Sequence, residues 1–235
     1  MCGRYVQASS PELLAERFGV DEVRIEEHEP RYNVAPRAEV PAVRRRHDRK
    51  VLSLLRWGLV PSWAKDTKIG DRLINARAEA VADKPAFRGA FARRRCLIPA
   101  DGFYEWRAVP GRRRKQPMFV HRRDGEPMAF AGLWEVWRER EEDDWLRSCV
   151  IVTTDANDLL MPIHDRMPVI LPESAWDTWL DPETDPDTLK RLLVPAPDDL
   201  VVAYPVSLRV NRADNEGPDL VREIHPDADS DAASG

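Results

Sequence analysis

Strict alternation of apolar and polar positions recurs along this chain, while sustained helical periodicity is scarce. Gly3 to Gln7 reads as a short strand, and Ser9-Ser10-Pro11 opens a helix through Leu13, Leu14 and Phe18 that stops at Gly19. After an acidic stretch over 21–31 and a turn-rich loop, Tyr32-Asn33-Val34-Ala35-Pro36, two strand-like runs follow, Val40 to Arg44 and Val51 to Trp57. They flank a basic tip, Arg45 to Lys50, which predicts an antiparallel hairpin. Gly58 to Asn75 is loop-like and long enough to predict a functional loop. Helical patterning runs from Ala78 to about Arg93 with a break at Pro85. Strands are predicted at Cys96–Pro99, Phe103–Arg107, Met118–Arg122, Met128–Val136, Leu146–Thr154, Met167–Leu171 and Val201–Val206. Short helices are predicted at Asn157–Met161, Ser174–Leu180 and Thr188–Leu193. Many strands with few, scattered helices predict an α+β fold on an antiparallel, partly closed, barrel-like sheet. The domain is expected to span 1–212, with 213–235 a disordered acidic tail.

A chain of 235 residues, 43% of them hydrophobic, can bury one substantial core, so a single domain is the default. Its cysteines, Cys2, Cys96 and Cys149, are odd in number and widely spaced, which fits a reducing compartment and no metal site. The sequence has neither an apolar leader nor a run long enough to span a membrane, so a cytoplasmic protein is expected. Charge changes the picture more. Residues 1–123 hold 27 basic and 15 acidic side chains (+12), whereas 124–235 hold 9 and 26 (−17). That asymmetry fits a basic face for a polyanion as well as it fits solvated charge.

Four residues carry candidate chemistry. Removal of Met1 would leave Cys2 with a free amine and a thiol on adjacent carbons. Their ordinary pKa values, ~7.7–8.0 and ~8.5, leave a fraction of each nucleophilic near neutrality. Such a 1,2-aminothiol condenses with an aldehyde to a Schiff base and closes to a thiazolidine. Most terminal cysteines do nothing of the kind. Glu105 lies among aromatics in Gly102-Phe103-Tyr104-Glu105-Trp106, where burial would raise its pKa and make it a proton carrier, although strand carboxylates are more often solvated. His164, two residues before Arg166, titrates near neutrality but is on its own more often structural. Asn75, ending the long loop, reads equally as a turn residue.

Taken together, Met1-Cys2-Gly3-Arg4, Tyr32 to Pro36, Trp57 to Ala64, Ile74 to Glu79, Ala100 to Trp106 and Ile163 to Pro168 resemble, in order, the signature segments of the SRAP (SOS response-associated peptidase) family. Pro205-Val206-Ser207 and Val210-Asn211 resemble its last segment. The resemblance implies a sensor of abasic sites in single-stranded DNA that crosslinks to the lesion through Cys2 as a thiazolidine, with lyase-like Schiff-base chemistry. It implies that Asn75 orients the sugar, that Glu105 moves protons, and that His164 acts on the Schiff base. It further implies that Arg4, Asn33, Arg77 and Arg166 line a DNA groove, that Pro36 and Trp63 lie against bases or wedge the strand, and that Trp106 belongs to the DNA-binding set. The arginine tracts at 44–46, 93–95 and 112–115 are not family motifs; they widen the basic field or are solvated tips.

Two other readings use the same residues. One is a peptidase or amidohydrolase with Cys2 as an N-terminal nucleophile; the other is a DNA-binding module in which Cys2 is incidental. A monomer without metal or organic cofactor is expected, with abasic single-stranded DNA as its partner and no membrane association.

Overall fold

Ser10 starts the first helix, α1 (Pro11–Phe18), as its hydroxyl accepts the Leu13 backbone N–H at 3.3 Å. Gly19 ends it in the left-handed region, φ 61°, where a residue without Cβ is favoured. The computed structural model describes residues 2–26 and 28–225. Its strands are β1 (Tyr5–Gln7), β2 (Glu22–Val23), β3 (Arg31–Val34), β4 (Glu39–Arg46), β5 (Arg49–Trp57), β6 (Asn75–Arg77) and β7 (Arg95–Ala100). They continue as β8 (Gly102–Arg107), β9 (Gln116–Arg122), β10 (Met128–Trp137), β11 (Leu146–Asp155), β12 (Arg166–Pro168) and β13 (Val201–Pro205). The remaining helices are α2 (Arg88–Arg93), α3 (Trp176–Leu180) and α4 (Pro186–Arg191).

Five strands close on themselves. Antiparallel pairing runs β5 to β4, β4 to β7, β7 to β10 and β10 to β11, and a parallel seam from β11 back to β5 pairs Ser148 with Arg56 and Cys149 with Trp57. The fold is therefore α+β on a barrel, as expected, but closure is complete and its last seam is parallel. Closure removes the exposed edges an open sheet would have to protect. The inner face is identified by contacts between strands that are not neighbours: the Arg44 guanidinium on β4 lies 4.5 Å from the ring centroid of Trp134 on β10, across the intervening β7. Val40, Ala42, Leu55, Cys96, Ile98, Phe130, Cys149 and Ile151 share one buried cluster with Cys2, Tyr5 and Phe103 of the second sheet. Val43, Leu52, Leu97, Leu133 and Val150 face the other way, against Phe18 of α1, Phe91 of α2, and Trp176 and Trp179 of α3. Strands buried on both faces explain why β7 reads as a continuous apolar run.

The second sheet runs β13-β9-β8-β1-β3, and β1 pairs with β8 through Tyr5↔Phe103 and with β3 through Tyr5↔Val34. Cys2 is thus attached to a strand held on both sides. At Gly102 a Cβ would overlap the Phe119 ring and lie 2.8 Å from the Val120 carbonyl oxygen, so only glycine lets β8 approach β9 here.

Three local expectations are corrected. The helix expected over 78–93 is a 3-10 turn at Ala78–Ala80 followed by turns, and only Arg88–Arg93 is α-helical, because Pro85 supplies no N–H to continue the ladder. Residues 157–161 form a turn instead of a helix: Asn157 Oδ1 accepts the Leu160 N–H at 3.1 Å, and its Nδ2 donates to the Ala196 carbonyl at 3.0 Å. The fold also does not end at 212. Leu220 is fully buried, Ile224 N–H donates to the Pro205 carbonyl at 2.9 Å, and Tyr32 N–H donates to Glu216 at 2.8 Å. The polar composition of 213–225 conceals these anchors; residues 226–235 lie outside the described residues. Truncation at Ala213 is therefore expected to cost about 2 kcal/mol or more, since it removes a buried leucine and strand-end bonds. Thermal unfolding of chains ending at 212 and at 225 measures this; equal midpoints would contradict it.

Candidate active site

Cys2 sits at the head of β1, fully buried. Its carbonyl accepts a hydrogen bond from Asn75 Nδ2 at 2.8 Å. Asn75 opens β6, which pairs in parallel with β11 through Asn75↔Ile151, and the preceding carbonyl, that of Ile74, accepts the Trp57 Nε1–H at 2.9 Å. A barrel strand thereby fixes the end of the long loop beside the terminus. Asn75 Oδ1 is buried and has no hydrogen-bond partner among the described residues, an acceptor beside Cys2.

Glu105 projects from β8 and is only 3% exposed. Burial raises its pKa above the ordinary carboxyl value, and the charge of His164 draws it partly back. Burial also raises the Cys2 thiol far above its ordinary range, and the Glu105 charge adds to the rise. The expectation of a readily ionised thiol is thus corrected: in this enclosed position the thiol holds its proton and needs a base to leave it.

His164 follows the turn at 157–161. Its Nδ1 accepts the Arg166 backbone N–H at 3.0 Å, so the neutral ring carries its proton on Nε2. Asp165 Oδ1 lies 2.9 Å from the same Nδ1. Cys2, Asn75, Glu105 and His164, separated widely in sequence, are linked by these contacts and charge interactions.

The groove candidates divide into two groups. Trp63 is 59% exposed, Arg77 at the end of β6 is exposed and makes no salt bridge among the described residues, and Pro36 is half-buried before Arg37, whose φ is 77°. The others are engaged by the protein itself. Arg4 Nη1 donates to Asn33 Oδ1 at 2.7 Å and to the Val210 carbonyl at 3.0 Å. Asn33 is fully buried, its Nδ2 donating to the carbonyls of Arg212 and Asn215 at 2.9 Å, so it supports Arg4 and does not line a surface. Trp106 Nε1 donates to Asn211 Oδ1 at 2.7 Å. Arg166 is the clearest departure: it meets Glu79 through both terminal nitrogens, at 2.9 and 3.0 Å, Asp155 at 2.6 Å and the Thr153 carbonyl at 2.7 Å. Two carboxylates meet its guanidinium, and its backbone N–H is the donor to His164 Nδ1.

Glu79, Asp155 and Trp57 therefore matter to the site without having been singled out by their chemistry. Glu79 lies within the Ile74 to Glu79 segment, but its partner stands 87 positions away and no local pattern reveals the pair. Among the described residues no group of His, Cys, Asp and Glu is arranged to hold a metal ion, and no helix is long and apolar enough to cross a membrane.

The Abasic site processing protein YoqW of Bacillus subtilis is 44% identical over 223 residues, covering 94% of this chain and 99% of that protein. The Abasic site processing protein YedK of Escherichia coli is 31% identical, covering 95% and 100% respectively. A crystal structure of a Bacteroides thetaiotaomicron protein superposes with a TM-score of 0.86 over 95% of this chain and all of that one; at 24% identity it supports the fold alone. The family profile described as SOS response associated peptidase (SRAP) matches residues 1–213, so the chain belongs to the SRAP family.

Proposed function

We propose that this protein processes abasic sites in single-stranded DNA by forming a covalent thiazolidine between Cys2, once Met1 is removed, and the opened sugar. The observation that carries the reading is the enclosure of Cys2 beside Asn75 and the buried carboxyl of Glu105. The kinship with proteins named for abasic-site processing supports it.

An abasic deoxyribose opens to an aldehyde. The Cys2 amine adds to that carbon, and loss of water gives a neutral imine. The thiol sulfur then adds to the same carbon while its proton passes by way of Glu105 to the ring nitrogen. Aminothiol and aldehyde thus yield thiazolidine and one water, without oxidant or reductant. Glu105 suits the transfer because burial lifts its pKa toward neutrality, where a group can both take and return a proton. The Nε2–H of His164 is a hydrogen-bond donor for the departing hydroxyl. Asn75 holds the Cys2 backbone with its amide nitrogen and offers Oδ1 to a sugar hydroxyl or to the new N–H. Trp63 gives an exposed ring for base stacking, and Arg77 a free cation for a phosphate.

A denaturing gel with an abasic oligonucleotide tests the reading: a stable adduct is expected with the abasic strand and none with an intact one. Peptide turnover without an adduct would favour the peptidase reading instead. The groove assignment has its own test. Arg77→Ala is expected to weaken intact-strand binding and lower the log–log salt slope by roughly 0.7, whereas Arg166→Ala, whose charge is already neutralised, leaves the slope unchanged. Titrations over a range of salt concentrations measure this, and equal slopes for wild type and Arg77→Ala would contradict it.

A further inference from the structure

The barrel end opposite Cys2 carries a feature that the chemistry above leaves unused. There Arg24 and residues of β4, β10 and β11 border a cavity of about 250 Å³ lined by arginines, Trp134 and Val136. The strand register sets its position. Arg44 pairs with Val51 near the start of β5, whereas Trp57 at the end of that strand approaches the Cys2 site. Arg147 precedes by four residues Ile151, the register partner of Asn75, so roughly 13 Å of strand separates the two ends.

Arg44 is 9% exposed. Its Nη2 donates to Ser53 Oγ at 2.9 Å, its guanidinium lies 4.5 Å over Trp134, and its Nε is buried without a hydrogen-bond partner among the described residues. Burial, and then the charges of Arg147, Arg24 and Arg46, depress its pKa, with Cys96 acting in the opposite sense. Carboxylates answer only part of this field: Glu22 meets Arg24 at 2.5 Å and Arg49 at 3.5 Å, and Asp48 lies 4.0 Å from Arg45. Arg44, Arg46 and Arg147 have no carboxylate partner among the described residues. A buried guanidinium with an unmet N–H, ringed by like charges, is costly unless an anion enters. The planar guanidinium forks match phosphoryl oxygens. Arg44 already covers one face of Trp134, and the rest of the lining is mostly arginine, so the chemistry offered is that of phosphoryl recognition.

We propose that this end of the barrel binds a phosphoryl oxyanion through Arg44, Arg46 and Arg147, independently of the Cys2 chemistry. The anion is either a free phosphoryl compound or a phosphate of a nucleic-acid backbone. The test is calorimetric titration of the full chain with pyrophosphate in chloride buffer at constant ionic strength. Arg44→Ala risks misfolding, so the informative variants are the exposed Arg46→Ala and Arg147→Ala, with Lys84→Ala as a remote control. Saturable binding is expected, weakened roughly tenfold by each of the first two and unchanged in the control. Absence of pyrophosphate binding, or wild-type affinity in both cavity variants, would overturn the proposal. Titrating the pyrophosphate complex with an intact single strand separates the sources. Displacement of pyrophosphate assigns the site to a backbone phosphate, and co-binding assigns it to a free phosphoryl compound.

Discussion

Glu105→Gln is expected to slow adduct formation by ~10²–10⁴-fold, with affinity for an intact strand little changed. The size of the effect follows from burial. The Cys2 thiol is held protonated by its surroundings, so ring closure requires a nearby base, and Glu105 is the carboxyl whose charge acts on that thiol. Glutamine keeps the shape and removes the proton exchange. Single-turnover crosslinking across pH reads the result: the wild-type rate should carry an inflection above the ordinary Glu value, and the variant should lack it. Stability gives an independent check. Because the folded carboxyl binds its proton more tightly than the unfolded one, its contribution is greatest below the unfolded pKa, near ~4.3, and is lost as pH rises through the raised folded value. Glu105→Gln should therefore flatten the fall of stability with pH across that window. A variant with a wild-type rate and pH profile would return Glu105 to a structural role.

The sequence was most legible where structure is local. The hairpin from Val40 to Trp57, the helix between Ser10 and Gly19, and the strands around Glu105 follow from alternation, capping and turn residues. A barrel-like sheet was legible, but the parallel seam that completes it was not, because it joins Trp57 to Cys149, far apart in the chain, and no local pattern encodes such a pairing. The same holds within the site. Glu105 stood out through its aromatic flanks, and its burial agrees with that reading. Arg166 reads as a groove cation because Glu79 and Asp155 approach it only in the fold. Asn33, polar and in a turn-rich segment, reads as exposed until the carbonyls of Arg212 and Asn215 close over it. The Arg44 to Arg46 tract reads as a solvated tip, yet alternation sends Arg44 into the barrel and Arg45 outward.

The second large effect concerns the terminus. Thiazolidine closure needs the amine and the thiol of one terminal residue, so a chain that keeps Met1, or has one residue inserted before Cys2, is expected to lose the stable adduct although the thiol remains. Cys2→Ala keeps a terminal amine and is expected to give only a labile Schiff base, trappable by borohydride. Cys96 and Cys149 are buried thiols without a neighbouring free amine and are expected to be dispensable for the adduct. The most direct measurement is a denaturing gel of wild-type, Met1-retaining and Cys2→Ala proteins with an abasic oligonucleotide, with and without borohydride, alongside intact mass to establish the state of Met1. A stable adduct from the wild type alone, with a borohydride-dependent one from Cys2→Ala, is the predicted result. A stable adduct from the Met1-retaining chain would contradict the thiazolidine mechanism.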